Sequence, residues 1–109
     1  MITLSLPPTT NNTYRHSGHF VYMTKKAKVW IREQGMIAKS QIFEEDHKNV
    51  TVMSITYFLQ RERDVDGSHK IIVDLLTDLG VMNDDRELLE LHLYKKWDKQ
   101  NPRVEITWR

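Results

Sequence analysis

The chemistry-bearing residues that stand closest together in this chain are Asp64-Val65-Asp66 and Asp84-Asp85. If the backbone is extended at 64–66, the two-residue period of a strand puts both carboxylates of the first pair on one side. Asp84-Asp85 follows past the far end of an intervening helix. A parallel or neighbouring pairing of the flanking strands would return Asp85 to the first pair. Carboxylates gathered in this way repel one another, and a hard divalent cation is one stable resolution. Mg²⁺ suits it, because it takes oxygen ligands, keeps several waters and binds through a few carboxylates plus a substrate phosphate. Lys70, four residues after Asp66, lies about one helical turn away and could stabilise a pentacovalent phosphate or a departing oxygen. A plainer reading stands beside this one. Asp66 then only caps a helix, Asp84-Asp85 is a solvated turn, and Lys70 pairs with Asp74 at i,i+4.

Other chemistries fit less well. An EF-hand beginning at Asp64 would need acidic ligands at loop positions three and five and a bidentate glutamate at position twelve, whereas position five is Ser68 and position twelve Leu75. His16 and His19 are spaced by three, but their segment has no helical pattern and no third zinc ligand. No G-x-S-x-G marks a nucleophile, and the four glycines are scattered singly, which leaves no phosphate-cradling loop. Cysteine is absent, which excludes disulfides, thiolate metal sites and cysteine nucleophiles and fits a reducing cytoplasm. No apolar run approaches the roughly 18 residues of a membrane helix, and Pro7-Pro8 comes too early for a signal peptide.

The elements that must position the acidic residues are legible in outline. Ile2, Leu4 and Leu6 alternate with polar residues as a short half-buried strand that Pro7-Pro8 stops. Thr9–Thr13 is polar and predicts a loop; 14–22, with Gly18 in the middle, predicts a hairpin. Thr24 is a good N-cap for a helix over about 25–38, with Ala27, Trp30, Ile31 and Ala38 near one face and Lys25, Lys28 and Arg32 on the other. Ser40–Lys48 is a polar, acidic connection. Val50–Phe58 is rich in β-branched and aromatic residues and predicts a central strand. Asp66 or Ser68 can cap a second helix with an Ile71, Ile72, Leu75, Leu76, Leu79 stripe, ending at Gly80. Leu89–Trp97 and Val104–Trp108 alternate as two further strands, which look like a hairpin across Asn101-Pro102. The sum is one α+β domain over 1–109, a mixed sheet with two helices packed on it. The three tryptophans follow the strand or helix pattern and belong to a core or a dimer contact.

Net charge is +1 over 109 residues, but its distribution is uneven. Residues 1–39 carry six basic side chains against Glu33 alone, 40–94 carry five basic and twelve acidic, and 95–109 five basic and two acidic. Basic ends around an acidic middle fit a cationic face surrounding a cation-binding cluster, although an ordinary mixed surface would look similar.

The run Arg63-Asp64-Val65-Asp66, then Lys70, Asp74 and Leu75, then Gly80 and Asp84-Asp85, resembles the signature of the RusA family of Holliday-junction resolvases. Pro7-Pro8, Asn11-Asn12 and Tyr14 are similar to that family's proline–asparagine loop. The strand leading to Lys95-Lys96 and the final Val104-Glu105-Ile106 also match in order. The resemblance implies a RusA-like α+β fold and a small homodimeric, Mg²⁺-dependent endonuclease of bacteria and their phages, cutting four-way DNA junctions by paired nicks in recombination and repair. It implies that Asp64, Asp66 and Asp85 are metal-binding catalytic carboxylates and Lys70 the catalytic lysine, with Asp84 a weaker candidate. Arg61 and Arg63 fall in the family's basic run, where DNA is contacted. Asn12, Tyr14, Lys25 and Lys28 are the further DNA-binding residues expected. Gly67 replaces a common asparagine and Glu62 interrupts the basic run, which puts in doubt the start of the helix and the strength of DNA binding. A related nuclease acting on flaps or forks, or an inactive DNA-binding dimer, are the competing readings.

Overall fold

A computed structural model describes residues 1–43, 49–65 and 67–109. The described residues form, in order, β1 (Ile2–Leu4), α1 (Thr10–Thr13), β2 (Tyr14–Ser17), β3 (Phe20–Met23), α2 (Lys25–Gln41), β4 (Val52–Leu59), α3 (His69–Asp78), a 3₁₀ turn (Asp85–Glu87), β5 (Glu90–Trp97) and β6 (Arg103–Trp108). Four strands form a mixed sheet in the order β1-β6-β4-β5, and β2 and β3 form a separate two-stranded ribbon. Among the described residues no helix is long and apolar enough to cross a membrane.

β4 takes the centre because alternate residues Met53, Ile55, Tyr57 and Leu59 are all fully buried. Each such side chain contributes roughly 1.5–3 kcal/mol through burial. They meet Val104 and Ile106 of β6, Ile2 and Leu4 of β1, and the inner faces of α2 and α3. β4 pairs parallel with β5, Val52 opposite Glu90 and Leu59 opposite Trp97, and antiparallel with β6. A parallel pair needs a crossover, and α3 supplies it. The hairpin expected of β5 and β6 is therefore corrected: β4 lies between them. The loop after β5 passes across the end of β4, held by the Asp98 N–H on the Leu59 carbonyl and by an ion pair from Arg103 to Asp98.

Thr24 caps α2 as expected, its hydroxyl accepting from the Ala27 N–H. The helix runs three residues past Ala38, to Gln41. Those residues have work to do on β1. The Gln41 amide exchanges two 2.9 Å bonds with the Thr3 backbone, Gln34 accepts from the Ser5 N–H, and the Trp30 indole donates to the Ser5 carbonyl. The outer edge of β1 is thus covered by side chains of its own helix. Gly35 does not break α2; a Cβ there would stand 3.4 Å from Leu75, so it allows close approach to α3. The loop expected at Thr9–Thr13 is a single helical turn instead, in which the Thr13 hydroxyl donates to the Thr9 carbonyl. Of the expected connection Ser40–Lys48, Ser40 and Gln41 belong to α2, and 44–48 lie outside the described residues.

Candidate active site

β4 ends at Leu59, and the segment that follows it is not a strand. Asp64 is therefore not presented by strand alternation, as the two-residue period required; it stands exposed in an irregular segment. That segment is docked on the proline loop. The Arg63 guanidinium donates to the Pro7 carbonyl at 2.7 Å, and Pro7 and Pro8 are themselves buried. Arg63 is half-buried, its Nε has no hydrogen-bond partner among the described residues, and burial pulls its pKa below the ordinary guanidinium value. It braces two loops together.

Gly67 makes the second contact between those loops. Its φ is +80°, in the left-handed region, and a Cβ would stand 2.8 Å from the Thr10 hydroxyl. Asparagine is the next residue to tolerate that backbone, so the asparagine expected from the family resemblance would fit the same conformation. Ser68 then occupies the N-cap position of α3 without capping it. Its hydroxyl turns back to donate to the Val65 carbonyl at 2.8 Å and bonds the Tyr57 hydroxyl at 3.1 Å. Burial raises the Tyr57 pKa above 10.0, partly offset by the Ser68 bond and the nearby Arg63 charge.

Lys70 projects from the first turn of α3 and is exposed. Together with Tyr14, His69, Val73, Asp74, Leu88 and Leu91 it lines an open groove of about 510 Å³. One wall is the first two turns of α3, and the other is the entry to β5. The parallel pairing of β4 and β5 returns the chain after α3 to this groove. Asp84-Asp85 lies just before it, in a turn where the Asp84 Oδ2 accepts from both Nε and Nη2 of Arg86 at 2.9 and 2.7 Å and its Oδ1 accepts the Arg86 backbone N–H. Asp85 opens the 3₁₀ turn 85–87, but its side chain is outside what the structure describes, and Asp66 lies outside the described residues altogether. Among the described residues no three acidic or imidazole groups cluster as a metal site, and of the three expected ligands the side chain of Asp64 alone is described.

The other expected DNA contacts divide between two places. Tyr14 shares the groove with Lys70. Asn12 lines a second hollow of about 370 Å³ with Pro7, Pro8, Lys26, Trp30 and Arg63, and its amide donates to the Thr9 hydroxyl at 3.0 Å. Lys25 and Lys28 are exposed at the start of α2, and Arg61 is exposed after β4. Glu62 is drawn to Lys95 of β5 by an ion pair. Sequence reasoning did not single out His69. Its signal lay in helical spacing, since His69 and Val73, like Lys70 and Asp74, are one turn apart beside the apolar stripe.

The sequence matches the family described as Endodeoxyribonuclease RusA over residues 5–109. The chain belongs to the RusA family. It is 25% identical over 108 residues to the Crossover junction endodeoxyribonuclease RusA of Escherichia coli strain K12, and equally to that of Escherichia coli O1:K1. In both comparisons the match covers 97% of this chain and 90% of the relative. The family match begins just after β1 and spans both docked loops, the Lys70 groove and the other three strands of the sheet.

Proposed function

We propose that this chain is a Mg²⁺-dependent endonuclease that resolves four-way DNA junctions as a homodimer, by paired symmetric nicks. The observation that carries the reading is the exposed Lys70 on the wall of a groove between α3 and β5, in a chain of the RusA family. The metal would be held by Asp64, Asp66 and Asp85. Their donor set fits that ion in kind, being carboxylate oxygen with no sulfur or imidazole, as a hard cation requires. Bound Mg²⁺ supplies Lewis-acid polarisation of the scissile phosphate and a lowered pKa for the attacking water.

The chain's own residues do the rest. Lys70 places an ammonium where charge builds on the phosphate oxygens in the transition state. Arg61, Lys25 and Lys28 neutralise backbone phosphates along the approach, and Tyr14 and Asn12 position the strand at the groove and the proline loop. Arg63 serves the DNA indirectly, by fixing the segment that carries Asp64 onto Pro7. Two copies related by a two-fold give two equivalent sites, which suits symmetric cuts in a pseudo-symmetric junction. A DNA substrate of this kind sets the enzyme in the cytoplasm of a bacterium or a phage-infected host.

The test is cleavage of an end-labelled four-way junction with Mg²⁺ or with EDTA, beside a linear duplex and a flap of matched sequence. Paired symmetric nicks confined to the junction and to Mg²⁺ are the expected result. Preferential flap cleavage moves the assignment to a related structure-selective nuclease, and binding without any cleavage to an inactive junction binder.

A further inference from the structure

The β2–β3 ribbon is separate from the four-stranded sheet, and its two faces differ. Strand pairing sets Tyr14 opposite Met23, Arg15 opposite Tyr22, His16 opposite Val21 and Ser17 opposite Phe20. Opposite residues share a face, so one face carries Tyr14, His16, Val21 and Met23, and the other Arg15, Ser17, Phe20 and Tyr22. The first face is anchored at its base, where Met23 packs against the core and Tyr14 lines the Lys70 groove. On the second face all four side chains are exposed, Phe20 by 77% and Tyr22 by 52%. The base is fixed to α1, because Thr24 donates from its hydroxyl to the Asn12 carbonyl and from its N–H to the Thr13 carbonyl. The turn is Gly18-His19, glycine first with φ +61°, a two-residue form whose twist suits a hairpin. A Cβ on Gly18 would meet nothing within 4 Å, so the tip stands clear of the described residues.

The charges around this face say what it meets. The chain has no carboxylate side chain before Glu33, whereas Arg15, Lys25, Lys26, Lys28 and Arg32 supply five cations. Arg15 stands on the aromatic face itself, and Lys25, Lys26 and Lys28 are exposed where β3 leads into α2. A second copy of the same face would set like charges together. A polyanion whose bases present flat π faces complements the cations and the rings at once. The spacing agrees. Two residues along one strand cover about 6.7 Å, twice the roughly 3.4 Å step of a nucleic-acid strand, which leaves a slot for one base between the rings.

We propose that the outward face of the ribbon is a base-stacking platform. Phe20 and Tyr22 take an unpaired base of branched DNA, and Arg15 holds the adjoining phosphate. The inference rests on the proposed function only for DNA as the substrate. Tyr14, at the foot of the ribbon, lines the Lys70 groove, so the platform stands at the edge of that groove. A linear duplex offers no unpaired base, and a branch point does. The platform therefore distinguishes branched from linear DNA, which phosphate contacts by themselves do not.

The test is binding in EDTA to a four-way junction carrying 2-aminopurine at the branch point or within one arm, beside a linear duplex of matched length. The wild-type chain is expected to change the fluorescence of the branch probe and leave the arm probe as it was. Phe20→Ala and Tyr22→Ala should each weaken junction affinity about tenfold, keep duplex affinity within about twofold and remove most of the probe change. Phe20→Leu keeps apolar bulk without a ring and should match Phe20→Ala, whereas Phe20→Trp should bind as tightly as wild type. Arg15→Gln should lower the salt slope of junction binding by about one. All these side chains are exposed, so circular dichroism and the thermal midpoint should not move. An unchanged branch probe with the wild-type chain overturns the proposal. So does an equal loss of junction and duplex binding, full affinity in Phe20→Leu, or altered sedimentation of the alanine variants, which would put the ribbon against another copy. Nicking in Mg²⁺ is read separately. A branch-probe change without nicks keeps the platform and removes the nuclease reading, and nicks without a probe change do the reverse.

Discussion

Gly67→Ala perturbs the point where the Asp64-bearing segment rests on the proline loop, and its cost separates into two parts. The backbone there has φ +80°, and holding an alanine in the left-handed region costs roughly 1–2 kcal/mol. The new Cβ would also lie 2.8 Å from the Thr10 Oγ1, closer than real contacts allow, although a side-chain rotation relieves part of that. A total of about 2 kcal/mol follows. Unfolding entropy near 2.1 cal/mol/K per residue, taken over 109 residues, is about 0.23 kcal/mol/K, so the midpoint should fall by about 9 °C. Thermal unfolding at one fixed protein concentration measures it, and two companion variants divide it. Gly67→Asn carries the same Cβ but tolerates the backbone better, so it should lose distinctly less than Gly67→Ala. Thr10→Ala removes the atoms nearest the Cβ, so Gly67→Ala should cost less in that background, and a double-mutant cycle reads the difference. Equal losses for alanine and asparagine, with no coupling to Thr10, would refute the reasoning for both parts.

Lys70→Met should lower the junction cleavage rate by about 10²–10³ while leaving junction affinity within a few-fold, measured by single-turnover kinetics and by binding in EDTA. Asp64→Asn should behave likewise, and cleavage retained by either variant would remove that residue from the chemistry. Arg63→Ala breaks the charged hydrogen bond to Pro7 and should cost roughly 1.5–3 kcal/mol in denaturant unfolding, whereas Arg61→Ala, exposed, should change stability by less than about 0.5 kcal/mol yet reduce the salt dependence of DNA binding. Tyr57 has a folded pKa raised above its ordinary 10.0, so between the two values the unfolded chain binds fewer protons. Stability should therefore be fully present below pH 10 and fall as the pH rises beyond it. Tyr57→Phe should flatten that fall in unfolding curves recorded between pH 8 and 11.

The strands and helices were legible because their apolar periods are strong. Met53, Ile55, Tyr57 and Leu59 alternate over the whole of β4, and Ile71, Ile72, Leu75 and Leu76 mark the buried face of α3. The neighbours of each strand were not legible. Alternation says that β5 and β6 are strands facing a core, but not that β4 separates them, which depends on a loop passing over the end of β4. Chemical type made Asp64 and Lys70 legible, and family resemblance gave their grouping. Residue type alone could not show that Arg63 is spent on a carbonyl 56 positions away, nor that Asp84 is held by Arg86. These contacts depend on how the chain folds and leave no mark in residue type. The groove itself combines α1–β2, α3 and the entry to β5, and no sequence window contains it.

The last strand of the chain, β6, lies between β1 and β4. The first and last strands pair Ile2 with Ile106, and the backbone of Arg109 still bonds Thr51 and Val52. During synthesis, then, the sheet waits with a gap in its middle until residues 103–109 have left the ribosome. Until then β1 and β4 have no shared neighbour, and their apolar faces have no floor on which to close. Because long-range pairing must precede the rest of the core, folding is slow relative to a helical chain of this size. A nascent or truncated chain that lacks β6 would accordingly hold Asp64 and Lys70 without the sheet that frames them.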